Sequence, residues 1–216
     1  MQYKMTPQEY FRKLIELYVN ARKPKYYNPN IQRGRSTSVA SDFEDLTALF
    51  IALNNPLPCD YFVDQPLRFT GTTTKYPDIV IQQDNGEIKD LIDVKADIGW
   101  NRNGMYPLCE AWETRIEKVK GTSTQFKQGT TKTLHEGQFS NDLTYHVLVA
   151  SAENASQQLL KDHAKVLATM TNVQLYILSD GIHPNSYKYN QADTLQHINL
   201  HHDEFERLFN HIITPE

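Results

Sequence analysis

The sequence predicts an α/β (α+β) fold in which a mixed central sheet is flanked by helices. The hydrophobic pattern changes from helical spacing to strand-like runs near residue 58, and strands then alternate with helices toward the end of the chain. The 216 residues are enough to bury the core of one domain and are few for two. We therefore expect one domain built around one sheet.

Five segments carry apolar side chains at steps of three and four residues, which is the pattern of an amphipathic helix. The first opens with Thr6-Pro7, and proline is well tolerated in the first turn of a helix. Pro56 and Pro58 end the second. The predicted helices span residues 6–22, 38–54, 106–120, 155–169 and 203–213.

Strands are predicted where β-branched and aromatic residues are dense and turn residues flank them. These segments are roughly 60–69, 76–83, 87–96, 143–151 and 173–179. Residues 121–141 are rich in Gly, Thr, Ser and Gln and instead predict a long polar connection. Connections of this length inside a domain are commonly functional or disordered.

The composition argues against several classes of protein. The longest apolar run, Ala48 to Leu53, is far shorter than the ~20 residues of a membrane-spanning helix, so no membrane partner is expected. Cys59 and Cys109 are isolated, which excludes a disulfide framework or zinc knuckle and indicates the reducing cytoplasm. The sequence contains no nucleotide-binding fingerprint, so no nucleotide cofactor is expected.

The net charge of −4 is distributed unevenly along the chain. Residues 11–37 carry seven basic side chains and one acidic one, residues 38–98 carry four basic and eleven acidic, and residues 99–133 carry six basic and three acidic. This arrangement suits an anionic polymer at the basic parts and a cation at the acidic part. Like charges also cluster on ordinary solvated surfaces, so the counts favour neither interpretation.

A β-hairpin is predicted around Asn85-Gly86, because this dipeptide suits the positive φ angles of a two-residue type I′ turn. With these two residues as the turn, Asp93 lies opposite Asp78 on the neighbouring strand. Directly opposed residues have Cβ atoms about 4.5–5.5 Å apart. Lys95 projects from the same face as Asp93, since side chains alternate along a strand. The other face is expected to be the core side and carries Ile79, Ile81, Ile88, Ile92 and Val94.

Two opposed carboxylates beside an ammonium group are typical of a site that holds a hard divalent cation. Burying acids without compensation is costly, and Mg²⁺ takes carboxylate oxygens while keeping several waters. Lys95 would stabilise charge on an attacked phosphate or position the nucleophile. The alternative is that Asp93 and Lys95 form a surface ion pair and that Asp78 is an exposed residue at a strand start.

The segments Tyr76-Pro77-Asp78 and Asp93-Val94-Lys95 resemble the Pro-Asp…(Asp/Glu)-X-Lys signature of the PD-(D/E)xK nuclease superfamily, which includes many type II restriction endonucleases. That family's core runs helix, three antiparallel strands, helix, strand, and the predicted order over 38–151 follows it. The resemblance implies a restriction-endonuclease-like core within a single nuclease domain over 1–216. Its parts are then an N-terminal helix and basic arm (1–37), the catalytic core (38–151) and a C-terminal α/β completion (152–216).

The resemblance also implies roles for individual residues. Asp78, Asp93 and the carbonyl of Val94 would hold Mg²⁺, and Lys95 would attend the nucleophilic water. Many members add a glutamate from the first core helix, and Glu44 matches it, with Asp45 as the fallback. Ser41-X-X-Glu44 is also a capping box, in which the glutamate would bond to the start of its own helix.

Candidate DNA contacts lie in three segments outside the acid pair. Arg33, Arg35 and Ser36 precede the Glu44 helix and are suited to phosphate contacts. Arg102 follows the catalytic strand. Gln125 and Lys127 belong to the 121–141 segment, which we interpret as a DNA-reading or clamping element, against a plain surface or disordered loop.

The sequence therefore predicts a Mg²⁺-dependent endodeoxyribonuclease that acts on double-stranded DNA. A sequence-specific type II restriction enzyme is the first hypothesis, and it implies a homodimer because palindromic sites mirror two-fold protein symmetry. The alternatives are a junction-resolving or DNA-repair nuclease of the same superfamily and a DNA-binding protein without catalysis.

Overall fold

The computed structural model describes residues 4–26, 28–69, 74–98, 104–153, 156–188 and 190–212. Its helices are α1 (Pro7–Asn20), α2 (Ala40–Asn54), α3 (Tyr106–Val119), α4 (Ser156–Thr169), α5 (Gln191–Leu195) and α6 (His202–Ile212). Its strands are β1 (Cys59–Val63), β2 (Leu67–Arg68), β3 (Thr74–Lys75), β4 (Ile79–Gln83), β5 (Glu87–Lys95), β6 (Ser123–Lys127), β7 (Leu134–Val149), β8 (Val173–Ile177), β9 (Ser179–Asp180) and β10 (Asn199–Leu200).

The main sheet is mixed and has the order β1-β4-β5-β7-β6, with β8 also paired to β7. Strands β5, β7 and β8 run parallel, whereas β1, β4 and β5 form antiparallel pairs, as do β6 and β7. Helix α3 lies in the connection from β5 to β7, and α4 lies in the connection from β7 to β8. This architecture confirms the predicted class of a mixed central sheet flanked by helices.

Both faces of the sheet are buried. On one face, α1, α2 and α6 pack on a core that includes Ile79, Ile92 and Val94. On the other, α3 and α4 pack on a core that includes Val80 and Leu91. The expectation of one aliphatic core face is therefore incomplete, because helices cover the acid-bearing face as well. No helix in the described part of the chain combines the length and apolar character needed to cross a bilayer.

Helix α2 is fixed against α1 by aromatic packing and a buried hydrogen bond. The ring of Tyr10 stacks on Phe50 with 4.5 Å between centroids, and its hydroxyl is 2.8 Å from the hydroxyl oxygen of Thr47. The side chains of Tyr10, Thr47 and Phe50 are all buried. Because the side chain of Glu44 extends from the same helix, this packing sets the distance between Glu44 and the sheet.

The β4–β5 hairpin has the predicted register near its acids but a different turn. The amide of Gly86 donates to the carbonyl of Gln83, and Gly86 has φ of 86°. Outside glycine, positive φ angles in the described ranges occur at Asp64 and Lys132, so Asn85 lacks the conformation of a type I′ turn. The connection is a three-residue loop, Asp84–Gly86, in which only the glycine needs a left-handed conformation.

A β-bulge then restores the predicted register. Gln82 pairs with Ile88 and Ile81 with Asp90, which leaves Lys89 as an extra residue in β5. Beyond it, Ile79 lies opposite Ile92 as predicted. The bulge reverses the alternation between its two sides, so Ile88 packs with Val80 and Leu91 instead of on the face predicted for it.

The prediction of a polar connection over 121–141, with a strand starting at 143, is wrong. Residues 123–127 form β6, and β7 begins at Leu134. In β6 the buried side chains are Thr124 and Phe126, and Phe126 packs edge-on against Phe62 with ring centroids 5.0 Å apart. Gln125 and Lys127, two of the polar side chains that suggested a loop, occupy the exposed face of this strand.

Candidate active site

The acid pair lies at the end of the sheet where β4 begins and β5 ends. Asp78 immediately precedes β4, and its backbone carbonyl accepts a hydrogen bond from the amide of Asp64 at 2.8 Å. Its side-chain Oδ2 accepts a hydrogen bond from the amide of Val94 at 2.5 Å. The first bond holds the backbone of Asp78 to the segment after β1. The second holds its carboxylate to β5, beside Asp93.

The ammonium group of Lys95 lies among three oxygen atoms. Its Nζ is 2.8 Å from Oδ2 of Asp93 and 3.6 Å from Oδ2 of Asp78. It also donates to the carbonyl of Val94 at 3.4 Å. The structure therefore brings Asp78, Asp93, Val94 and Lys95 together, and the lysine provides the positive charge between the two acids.

The two acids remain in excess over the single lysine. Burial, and then the charge of Asp93, raises the pKa of Asp78 to about 7, although Lys95 acts in the opposite direction. Burial disfavours the charged form of Lys95, but the carboxylates of Asp93 and Asp78 outweigh it and raise the pKa of the lysine. An added cation would relieve the repulsion between the acids.

Glu44 faces this group across a cleft of about 340 Å³ that Asp78, Lys95 and Asp97 also line. The side chain is partly buried, and burial, followed by the charge of Asp64, raises its pKa, with Lys95 opposing the shift. The capping-box alternative is wrong, because α2 begins at Ala40 and has no side-chain cap. Glu44 projects from within the helix, and the fallback residue Asp45 is exposed on it.

Tyr145, on β7, is a site neighbour that sequence reasoning missed. It is buried and stacks on Trp112 with ring centroids 3.9 Å apart. Burial and the charges of Asp93 and Asp78 raise the pKa of Tyr145 well above its ordinary value. Its position depends on the pairing of β7 with β5, which no local sequence signal specifies.

Asp97 and His183 also lie near the site but were not predicted from the sequence. Asp97 lines the cleft, and its Oδ2 is 3.3 Å from Nε2 of His183, without the geometry of a hydrogen bond. Nδ1 of His183 accepts from the amide of Asn185 at 3.1 Å. Asp97 could have been found from its spacing, since two-residue steps lead from Asp93 through Lys95 to Asp97.

The predicted DNA contacts before α2 lie in an exposed loop. Arg33 and Arg35 line a groove of about 430 Å³, and Nε of Arg33 donates to the carbonyl of Arg35 at 3.0 Å. Ser36 is exposed and lies two residues before Ser38, which lines the cleft. Arg102 lies outside the described residues.

The two DNA contacts predicted in 121–141, Gln125 and Lys127, both lie on the exposed face of β6. The side chain of Gln125 donates to Glu136 at 3.0 Å and lines a polar trough with Asn85 and Gly86, at the turn end of the β4–β5 hairpin. The structure therefore does not bring Gln125 to the acid pair. The carbonyl of Lys127 accepts from the side chain of Gln65 at 3.2 Å, and no described contact joins Lys127 to the acid pair.

The donors around Lys95 fit a magnesium ion in their chemistry. No group of three or more His, Cys, Asp or Glu side chains within the described residues is arranged to hold a metal ion. Mg²⁺, however, is commonly bound by one or two carboxylates and keeps several waters. The carboxylates of Asp78 and Asp93 and the carbonyl of Val94 supply hard oxygen donors of that kind.

Compared with known proteins, the chain matches no family model, and no curated protein or solved structure is significantly similar to it. The functional interpretation therefore depends on the contacts within this chain. Those contacts place two acids, one lysine and one carbonyl at a sheet end, with a third acid across an open cleft.

Proposed function

We propose that the chain is a Mg²⁺-dependent endodeoxyribonuclease that hydrolyses phosphodiester bonds in double-stranded DNA. The observation that carries this proposal is the contact of the Lys95 ammonium with oxygens of Asp78, Asp93 and Val94. Two acids share one lysine here, beside a cleft. Strongly perturbed acids in a cleft are typical of catalytic sites.

Asp78, Asp93 and the carbonyl of Val94 would hold the metal ion. Bound Mg²⁺ would supply Lewis acidity toward a phosphoryl oxygen and make a water more nucleophilic. With the acids neutralised, the Lys95 ammonium becomes available to orient that water and to stabilise the charge that develops on the phosphate. Glu44, across the cleft, would accept a hydrogen bond from a water at the site.

The charge distribution supports DNA as the substrate. The arm before α2 is basic and leads to Ser38 at the cleft, so it would neutralise phosphates next to the scissile bond. Within this function we propose a cytoplasmic, sequence-specific type II restriction enzyme that acts as a homodimer, since two-fold proteins match palindromic sites.

Cleavage of plasmid and phage DNA in Mg²⁺ or EDTA tests the proposal. Wild-type protein should cut in Mg²⁺ and not in EDTA, whereas Lys95→Ala should bind DNA but lose at least about 100-fold in rate, as expected for loss of a charge-stabilising group. Lys118→Ala, which removes an exposed lysine on α3, is the matched control and should cut normally.

The products distinguish the roles within the superfamily. Discrete fragments support a restriction enzyme, and nicks at distorted sites favour a junction-resolving or repair nuclease. DNA binding with no cutting in Mg²⁺ would overturn the catalytic proposal and leave a DNA-binding protein. Equal cutting by wild type and Lys95→Ala would show that the activity does not come from this site.

A further inference from the structure

The loop between α1 and α2 is closed at its base. The amide and the hydroxyl of Thr37 both donate to the carbonyl of Ala21, at 2.9 and 3.3 Å. The guanidinium of Arg22 donates to the carbonyls of Pro184, Asn185 and Tyr187. The described residues between Arg22 and Ser36 therefore extend from a base that is anchored to the rest of the domain.

The outer surface of this loop forms the groove of about 430 Å³ that contains Arg33 and Arg35. Tyr26 and Ile31 also line it and are 76% and 51% exposed, so the groove has two accessible apolar side chains side by side with its cations. Lys25 lines the groove as well, and its Nζ lies 6.0 Å from the centroid of the Tyr26 ring. The surface thus combines an exposed aromatic ring with three cationic side chains.

The charge of this loop selects the kind of partner. No acidic residue occurs between Glu16 and Asp42 in the sequence, so the groove lies in a stretch that carries positive charge only. A polyanion with flat, apolar rings complements it: cations bind phosphates, and an aromatic side chain stacks on a base. In an intact duplex the faces of the bases are covered by their neighbours, so an exposed ring can stack only on an unpaired or extruded base.

We infer that this groove binds a DNA strand at an unpaired or extruded nucleotide, with the base on Tyr26 and Ile31 and the phosphates near Lys25, Arg33 and Arg35. The inference deepens the proposed function and rests on it for the identity of the polymer. Because the loop leads through Ser36 to Ser38 at the cleft, the bound nucleotide would lie beside the duplex that is cut. A restriction enzyme would extrude this nucleotide from its duplex, whereas a junction-resolving or repair nuclease would find it already unpaired.

Fluorescence anisotropy in EDTA tests this inference without cleavage. The probes are a blunt duplex, the same duplex with a short single-stranded extension, and the single strand alone. Tyr26→Ala should weaken binding of the extended duplex about 10-fold, because the stacking of one base on the ring is lost, and should leave the blunt duplex within about two-fold. Tyr26→Trp, which keeps an aromatic ring, should restore the preference.

Two further variants separate stacking from charge. Arg33→Ala should weaken all three probes and lower the salt slope by about one, because one phosphate contact is lost. Leu160→Ala removes an exposed leucine on α4 and should change none of them. A 2-aminopurine base in the extension should be quenched by the wild type and much less by Tyr26→Ala.

The inference is overturned if Tyr26→Ala weakens blunt and extended duplexes equally, or if the extension brings no gain in affinity. It is also overturned if polyglutamate displaces the extended duplex as well as DNA does, which would indicate an acidic protein partner. These outcomes are independent of catalysis. Tyr26-dependent binding without cutting in Mg²⁺ would contradict the nuclease proposal alone, whereas cutting without any effect of Tyr26→Ala would contradict the groove alone.

Discussion

Strand β5 carries two buried acids, Asp90 and Asp93, three residues apart and in opposite electrostatic situations. Oδ1 of Asp90 is 2.8 Å from Nε2 of the fully buried His146. Nδ1 of His146 is 3.1 Å from the hydroxyl of Tyr176, which is 3.0 Å from Nδ1 of His211. Asp93 instead shares the single ammonium of Lys95 with Asp78.

Both acids are buried, so the difference lies in their partners: Asp90 has His146 to itself, whereas Asp93 shares Lys95 with Asp78. This sharing, and not burial, sets the proposed functional pair apart. Asp90 and His146 form a one-to-one pair in the core. Each group in the hydrogen-bonded series from Asp90 to His211 has a partner, as buried polar groups in a stable core require. The acid pair has two carboxylates for one cation, and Asp78 and Lys95 line a cleft. Groups of the first kind should matter for stability, and groups of the second kind for the reaction.

The largest expected effect comes from the same substitution at both positions of β5. Asp93→Asn should lower the rate of DNA cleavage in Mg²⁺ by at least about 10³-fold, because the substitution would remove a ligand of the proposed metal ion. Asp90→Asn should leave the rate of the folded protein within a few-fold. Single-turnover cleavage assays measure both, and an equal loss at the two positions would contradict the separation.

Next in size is the loss of the partner of Asp90. His146→Leu should lower the free energy of unfolding by about 3 kcal/mol, because it leaves a carboxylate buried without its partner. Urea denaturation followed by circular dichroism measures this. The double variant Asp90→Asn with His146→Leu should recover part of the loss, since the buried charge is then gone. An unchanged unfolding midpoint for His146→Leu would show that the chain of hydrogen bonds does not support the fold.

A smaller effect, and an increase in the free energy of unfolding instead of a decrease, is expected when Asp78 is replaced in metal-free buffer. Its pKa of about 7 in the folded state exceeds the ~3.9 of an unperturbed aspartate, so the folded state binds the extra proton between these values and loses stability as pH rises through them. Asp78→Asn removes this loss and should stabilise the protein by on the order of 1–2 kcal/mol at pH 8, after allowance for solvent screening.

This gain should shrink as the pH falls and disappear below the ~3.9 of an unperturbed aspartate, where Asp78 is protonated in both states. Thermal unfolding in EDTA across this range measures it. Asp60→Asn, at an exposed position on β1, is the control and should show no such pH dependence. A variant at Asp78 that is less stable than the wild type at pH 8 would mean that repulsion between the acids is already fully compensated.

The smallest effect is expected at the exposed end of the hydrogen-bond chain. Burial, followed by the charges of His146 and Arg207, lowers the pKa of His211, so the wild type loses stability as the pH falls below the ~6.5 of a free histidine. His211→Gln should flatten this dependence by less than about 0.5 kcal/mol, because the side chain is screened by solvent. Urea midpoints at pH 5 and 8 measure it, with the exposed His197→Gln as control. A change in stability as large as that of His146→Leu would contradict this order and show that exposed His211 matters as much as buried His146.

Local sequence patterns predicted most of the elements that build the candidate site. Helix α2, strand β5 and the opposition of Asp78 and Asp93 follow from apolar spacing and from the position of a turn. The register held although the turn was assigned wrongly, because the third residue of the loop is compensated by the bulge at Lys89. A bulge is invisible in a hydrophobic pattern, so Ile88 was placed on the wrong face.

The sequence by itself therefore determines the helices, the hairpin and the pairing of two acids with Lys95, since these depend on neighbours a few residues apart. The partners of those acids depend on long-range packing. Parallel pairing of β7 with β5 brings Tyr145 to Asp93 and His146 to Asp90, and the docking of α2 turns Glu44 toward the cleft. The physical reason is that parallel strands and helix contacts join residues with no turn between them, so their register is set by the packing of the whole core.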